Sequence, residues 1–349
     1  VTLAHPVSAD VRIPFSARGP LSAAVLSRLT TEAPSERPLR ELAQQVAAAS
    51  ADPVRDDDLQ LALFCLYGAF YGSIDAFRAE AEWDTELIEV RGILESVFEA
   101  HLRSEVEVPE LPEPTQDAVG RALFALTGAE GGPSLSRYVA KKATREQIDE
   151  FFIQRSVYTL READPHSWAI PRLRGRAKAA LVEIQSDEYG GGRPDRVHAE
   201  VFAKAMRGAG LDTEYGAYVD AVPAVTLASQ NTMSMFGLNR RLLGAVVGHL
   251  AAFEMTSSIP NRMYGEGMRR LGFGEDVTDY FDEHVEADAV HEQIAGFDMA
   301  GSLAEDRPEL LADIMFGAAA CLAVDGWAGA HIHDAWAAGR SSLRAETAS

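Results

Sequence analysis

Apolar residues recurring at steps of three and four, as in Leu59, Leu63, Leu66 and Phe70, constrain this chain more than any other feature. Side chains at that spacing share one face of a helix, and the pattern continues along most of the sequence. β-Branched alternation over strand-like lengths is nearly absent, so the sequence predicts an all-α protein. Its 349 residues, 47% of them hydrophobic, suffice for one large core or two modest ones.

Residues 1–20 carry proline, glycine and small polar residues without periodicity and read as an extended arm. Helices are predicted over 21–29, 39–50, 56–71, 74–103 and 115–126, then over 144–162, 174–188, 194–207, 212–222, 225–235, 240–257, 277–300 and 308–338. Two proline-rich pieces, VPELPEPTQ (108–116) and GAEGGPSLS (128–136), punctuate the first half. The second is the expected boundary between an N-terminal helical module, 21–136, and a second domain, 137–340. Thr144 with Gln147 three residues on predicts a capping box.

A net charge of −21 opposes phosphate backbones and anionic lipid, so neither nucleic acid nor a membrane surface is an expected partner. A small molecule is. Cys65 and Cys321 lie in apolar surroundings, as suits two buried thiols in a cytoplasmic protein. The run LLGAVVGHLAAFEM is too short to span a bilayer.

Chemistry concentrates near the C-terminal end. In YFDEHVEADAVHEQIAGF, His284, Asp288 and His291 fall at about 0°, 40° and −20° around a helix, one narrow stripe. Phe281 extends that stripe, while Asp282, Glu283, Glu286 and Glu292 take the flanks and the far side, so the trio faces inward. A buried carboxylate needs a compensating cation, and the trio contains none. Glu254 follows Leu243, Val247 and Leu250 on one apolar face; Glu188 follows Ala177, Leu181 and Ile184; Glu162 trails Phe151, Arg155 and Tyr158. A lone glutamate so placed finds an arginine or a backbone amide about as often as a metal; three in successive helices beside His/Asp/His point to one site.

The stretch EYGGGRPDRVH joins Glu188 to His198. On an uninterrupted helix those two would diverge by about 80°. Three glycines permit a turn, and Pro194 restarts the helix, so both side chains can converge. The set is then Glu162, Glu188, Glu254 and Asp288 with His198, His284 and His291. Oxygen and nitrogen ligands without thiolate suit iron or manganese. Four carboxylates balance two divalent ions, and burial of uncompensated charge disfavours fewer.

The ordered spacing Glu162, EYGGGRPDRVH, Glu254, HVEADAVH resembles the haem-oxygenase-like diiron oxidases and oxygenases, a family of iron-containing redox enzymes, over about residues 147–338. The resemblance implies a haem-oxygenase-like helical bundle holding two Fe(II)/Fe(III) ions on the seven residues above, with O2 as co-substrate and an external reductant. Members with three histidines and four carboxylates oxygenate nitrogen, and Glu188 matches their additional carboxylate. The implied activity is N-oxygenation of an amine or guanidine of an amino-acid-like substrate in natural-product biosynthesis. The alternatives are a desaturase or C–C lyase on an amino or fatty acid, and a metal-free helical scaffold. Partners would be the substrate and an electron donor, and the N-terminal helices could form a homodimer surface. Arg172, Arg174 and Arg176 in IPRLRGR are candidates for a substrate carboxylate, although surface charge accounts for them equally well. His249 is expected in the core, and His331 and His333 at the surface or in a loop.

Overall fold

In the computed structural model, which describes residues 13–31, 37–129 and 134–345, with the backbone alone at 286–289, the expectation of an all-α chain holds. The described residues form sixteen α-helices and no β-strand. They are α1 (Pro20–Thr30), α2 (Leu39–Ala49), α3 (Asp57–Tyr71), α4 (Thr85–Glu105), α5 (Gln116–Thr127), α6 (Leu135–Lys141), α7 (Arg145–Thr159) and α8 (Asp164–Ser167). There follow α9 (Gly175–Glu188), α10 (His198–Ala209), α11 (Ala224–Leu238), α12 (Leu243–Met255), α13 (Ser258–Arg270), α14 (Glu275–Gln293), α15 (Ser302–Asp306) and α16 (Leu311–Ala337). Residues 1–12 of the predicted arm lie outside the described range; its last part is anchored by Phe15, buried against Phe64.

Most predicted helices recur within a few residues, and the exceptions have local causes. The expected helix 74–103 is instead a 3₁₀ turn, Ala79–Trp83, followed by α4, because the Asp84 side chain accepts from the amides of Glu86 and Leu87 and starts a new helix. The expected helix 212–222 is mostly turn: Asp212 accepts from the Glu214 amide, and Gly216 sits at φ 92°. Helices α6 and α13, unforeseen in the sequence, pack against each other. Thr144 and Gln147 form the capping box at the start of α7. Cys65 and Cys321 are free and buried.

The N-terminal helices do not stand apart from the rest. α3 packs on α11, and one continuous apolar cluster runs from Leu21 and Leu63 to Val247 and Ile314. A second cluster joins α7, α10, α13 and α14 through Phe151, Phe152, Phe202 and Phe281. The candidate site lies where these clusters adjoin.

α12 and α16 form the closest crossing. A Cβ on Gly248 would stand 1.8 Å from the Ile314 carbonyl oxygen, and one on Gly317 would stand 2.0 Å from that of Ala245. Only glycine lets the two backbones touch at these points. Gly248→Ala is therefore expected to cost about 1–3 kcal/mol or more through overpacking, read as a lower urea midpoint at unchanged slope. The segment Pro308–Ala337 is apolar and long enough to cross a membrane, longer than the run singled out in the sequence. Here 56% of its apolar window is buried inside the fold, along α12.

Candidate metal centre

Six of the seven predicted ligands come together from five separate elements. Glu162 lies in the turn between α7 and α8, Glu188 ends α9, His198 opens α10, Glu254 ends α12 but for one residue, and His284 and His291 lie on α14. The seventh, Asp288, falls among the residues whose side chains are outside the described set. The six form two groups: Glu162, Glu188, His198 and His284, and then Glu188, Glu254 and His291, each with its ligand atoms within 4.8 Å of one another. Glu188 belongs to both.

The glycine stretch produces this convergence. Gly190, Gly191 and Gly192 all have positive φ, at 74°, 58° and 83°, a region that side-chain-bearing residues rarely adopt. A Cβ on Gly190 would lie 2.7 Å from the Arg196 carbonyl carbon, so the loop closes on itself, with Tyr189 and Val197 bridged. Folding back in this way sets His198 Nδ1 2.9 Å from Glu188 Oε2.

All six residues are at most 7% exposed, and the only ion-pair partners of the three glutamates among the described residues are histidines. Arg155, the natural counter-ion on the Glu162 stripe, makes no ion pair with it; Tyr280 donates its hydroxyl to Glu162 Oε2 at 2.8 Å instead. Glu188 Oε2, His198 Nδ1 and His291 Nδ1 are buried without a hydrogen-bond partner, although His291 Nδ1 is 3.4 Å from Glu254 Oε2. Close acceptor atoms that face one another without bonding geometry are what a cation site presents.

Outer contacts orient the ligands. His284 Nδ1 lies 2.7 Å from the Tyr280 carbonyl oxygen, which only accepts, so Nδ1 carries the proton and Nε2 turns its lone pair toward Glu162, 3.9 Å away. His291 Nε2 is held at 2.9 Å by Asp187 Oδ2, leaving Nδ1 inward. Such partners fix the ring and tautomer of metal-binding imidazoles. Asp187→Ala is therefore expected to weaken iron affinity about 10–100-fold with little change in melting temperature, measured by competition with a chelator.

Without a cation the site holds protons. Burial, with the nearby Glu188, raises Glu162 to about 7, and burial raises Glu254. Burial works against the charged form of His198 and His291, but Glu188 and Glu254 respectively overcome it and raise both to about 9. Burial and the neighbouring His198 lower His284 to about 4. Glu188, despite burial, is held below the usual carboxylate value by His198. These opposed shifts of touching groups mark a tightly interacting cluster of ionisable side chains.

Asp187 and Tyr280 fall outside the ligand pattern of the sequence. Tyr280 stands four residues before His284 on the same stripe, a detectable signal; Asp187, beside Glu188 and 57% exposed, gave none. The remaining sequence candidates lie elsewhere. Arg172 donates to the carbonyls of Gly237 and Leu238, Arg176 is exposed beside Asp298, and Arg174 is exposed, so IPRLRGR supplies no cation to the centre. His249 is in the core, 3.1 Å from His166. His331 is exposed and His333 half-buried, both on α16 rather than in a loop.

Two cavities reach the centre. One of about 320 Å³ ends on Glu162 and His284 and is walled by Phe151, Tyr158, Phe253 and Tyr264. Another, of about 400 Å³, meets Glu162, Glu188 and His198 from the side of Tyr189 and Tyr215.

Residues 149–326 match the model of a family described as iron-containing redox enzymes, a range containing all seven predicted ligands. The chain is also similar to nitrosourea synthase of Streptomyces achromogenes subsp. streptozoticus, 28% identical over 181 residues, which are 51% of this chain and 38% of that protein.

Proposed function

The chain belongs to the iron-containing redox enzyme family, and from that premise we propose a non-haem diiron oxygenase that uses O2 to oxidise a small molecule. The observation that carries this reading is the sharing of Glu188 between two buried ligand groups. One group would hold an iron on Glu162, Glu188, His198 and His284, the other on Glu188, Glu254 and His291. Asp288 would be a seventh ligand, by the sequence pattern of His284, Asp288 and His291.

Bound iron supplies electrons and Lewis acidity for the reaction with dioxygen. The chain's own residues prepare the site for it. Tyr280 holds Glu162 Oε2 and, through its carbonyl, the tautomer of His284. Asp187 turns His291 inward. Glu162 gives up on loading the proton it otherwise keeps to about pH 7. Phe151, Phe253 and Tyr264 would present apolar surface to a substrate beside Glu162 and His284.

The similarity to a nitrosourea synthase supports nitrogen as the oxidised atom, in an amine or guanidine of an amino-acid-like substrate of natural-product biosynthesis. An electron donor would restore the ferrous state, and a homodimer in the cytoplasm is the proposed setting. The apolar walls of the first cavity favour a second reading, a desaturase or C–C lyase. Iron-loaded protein incubated with amino acids, 18O2 and a reductant decides: labelled nitrogen products support N-oxygenation, and alkenes or lost carbon fragments support the second. Iron uptake below one ion per chain under anaerobic ferrous loading would overturn both.

A further inference from the structure

The cavity that ends on Glu162 and His284 contains two more charged groups, and neither forms a contact ion pair with a described residue. Arg155, on α7, lies 5.3, 5.2 and 5.6 Å from the ring centres of Phe151, Tyr158 and Tyr264. Its Nε is buried without a partner, and none of its nitrogens bonds or pairs with a described residue. Asp325, an exposed residue on α16, receives one hydrogen bond, from the Ser229 hydroxyl at 2.8 Å to Oδ1, and Oδ2 makes none with a described residue. Both residues line the same space.

A guanidinium set among aromatic rings with its Nε buried is costly to leave unpaired, while Asp325 is exposed and open to a ligand entering the cavity. These two do not satisfy each other, since no ion pair forms between them within 4.0 Å. Nor does the proposed metal centre require Arg155, whose guanidinium bonds to none of its glutamates. A cavity of about 320 Å³ is at the small end of ligand sites, and its aromatic walls suit an aliphatic stem.

We propose that this cavity binds a small zwitterion, its carboxylate on Arg155, its protonated nitrogen on Asp325, and its stem against Phe151, Tyr158 and Tyr264. The assignment rests on the oxygenase reading only in making this ligand the substrate. Arg155 supplies a planar fork matched to a carboxylate, while Asp325, steadied by Ser229, keeps one oxygen for an N–H donor. A fatty acid would satisfy Arg155 and leave Asp325 unpaired; a simple amine would do the reverse.

Calorimetric titration of the metal-free full-length chain with 6-aminohexanoate, hexanoate and 1-hexylamine tests this. 6-Aminohexanoate is expected to bind about tenfold or more tighter than either singly charged probe, as each charge-assisted contact contributes. Arg155→Met should weaken 6-aminohexanoate and hexanoate and leave 1-hexylamine unchanged; Asp325→Asn should weaken 6-aminohexanoate and 1-hexylamine and leave hexanoate unchanged. Melting curves establish that both variants fold, with Arg155→Lys and Asp325→Glu as substitutes if one does not. Equal affinity for the three probes, no saturable binding of any, or one variant weakening all three alike would overturn the proposal. Ferrous uptake by the wild type, measured separately, tells the two readings apart: failed uptake with discriminating binding sinks the diiron centre alone, and normal uptake without discrimination sinks the zwitterion site alone.

Discussion

Replacing Glu188 with alanine is expected to abolish iron retention at both positions, whereas Glu254→Ala should leave one. Glu188 belongs to both ligand groups, while Glu254 belongs to one. Loss of a residue that only orients a ligand costs about 10–100-fold in metal affinity, so loss of a shared carboxylate should exceed that. Removing it also leaves His198 and His284, 4.4 Å apart by ring centres, with one glutamate between them. Iron per chain after anaerobic ferrous loading and desalting gives the answer: near zero for Glu188→Ala and about one for Glu254→Ala, against about two for the unaltered chain. Equal losses in both variants would show that Glu188 is not shared. Glu188→Gln separates charge from packing, since it keeps the volume and should retain iron poorly.

The second large effect is on pH dependence. In the folded metal-free chain His198 and His291 keep their protons to about pH 9, against an ordinary value of 6.5. Between those values the folded state binds more protons than the unfolded one. Stability fully present below pH 6.5 is therefore lost as pH rises through 9. Glu162, raised from 4.5 to about 7, acts with the same sign over its own interval. His284 and His166, both lowered to about 4, act oppositely, but only between 4 and 6.5. Above pH 6.5 the melting temperature of metal-free protein should thus fall. Metal binding displaces these protons, so the rise in melting temperature on anaerobic ferrous loading should grow from pH 6.5 to 8.5. A metal-free melting temperature that climbs over that range would mean the two histidines are not charged in the fold.

Much of the site is legible in the sequence because helices convert spacing into direction. The i, i+4, i+7 arrangement places His284 and His291 on one stripe before any fold is known, and the apolar steps leading to Glu188 and Glu254 mark those glutamates as buried. Even the loop could be interpreted, since three glycines and a proline between two ligand-type residues need a reason. What spacing cannot provide is contact between elements distant in sequence. Tyr280 meets Glu162 across 118 residues and His291 meets Asp187 across 104. The same limit applies to the proposed substrate cation: IPRLRGR is rich in arginine but lies away from the centre, while Arg155 reads in the sequence only as a step on the stripe leading to Glu162. Helix ends failed where a side chain overruled periodicity, as Asp84 does at the start of α4. Beyond His291 the chain continues as a π-helix, Ile294–Gly301, a geometry that no pattern at 3.6 residues per turn reveals.

The glycine contacts between α12 and α16 bear on how this scaffold can diversify. Because backbone touches backbone at Gly248 and Gly317, Glu254 and Asp325 ride on what is effectively a single strut, and the reach from one to the other cannot be stretched by exchanging side chains. Longer or shorter molecules would have to be accommodated by the opposite wall, which is built from side chains such as Phe151 and Tyr264 rather than from touching backbones. Sequences of this kind with altered substrate range should therefore differ at those two aromatic positions before they differ at either glycine.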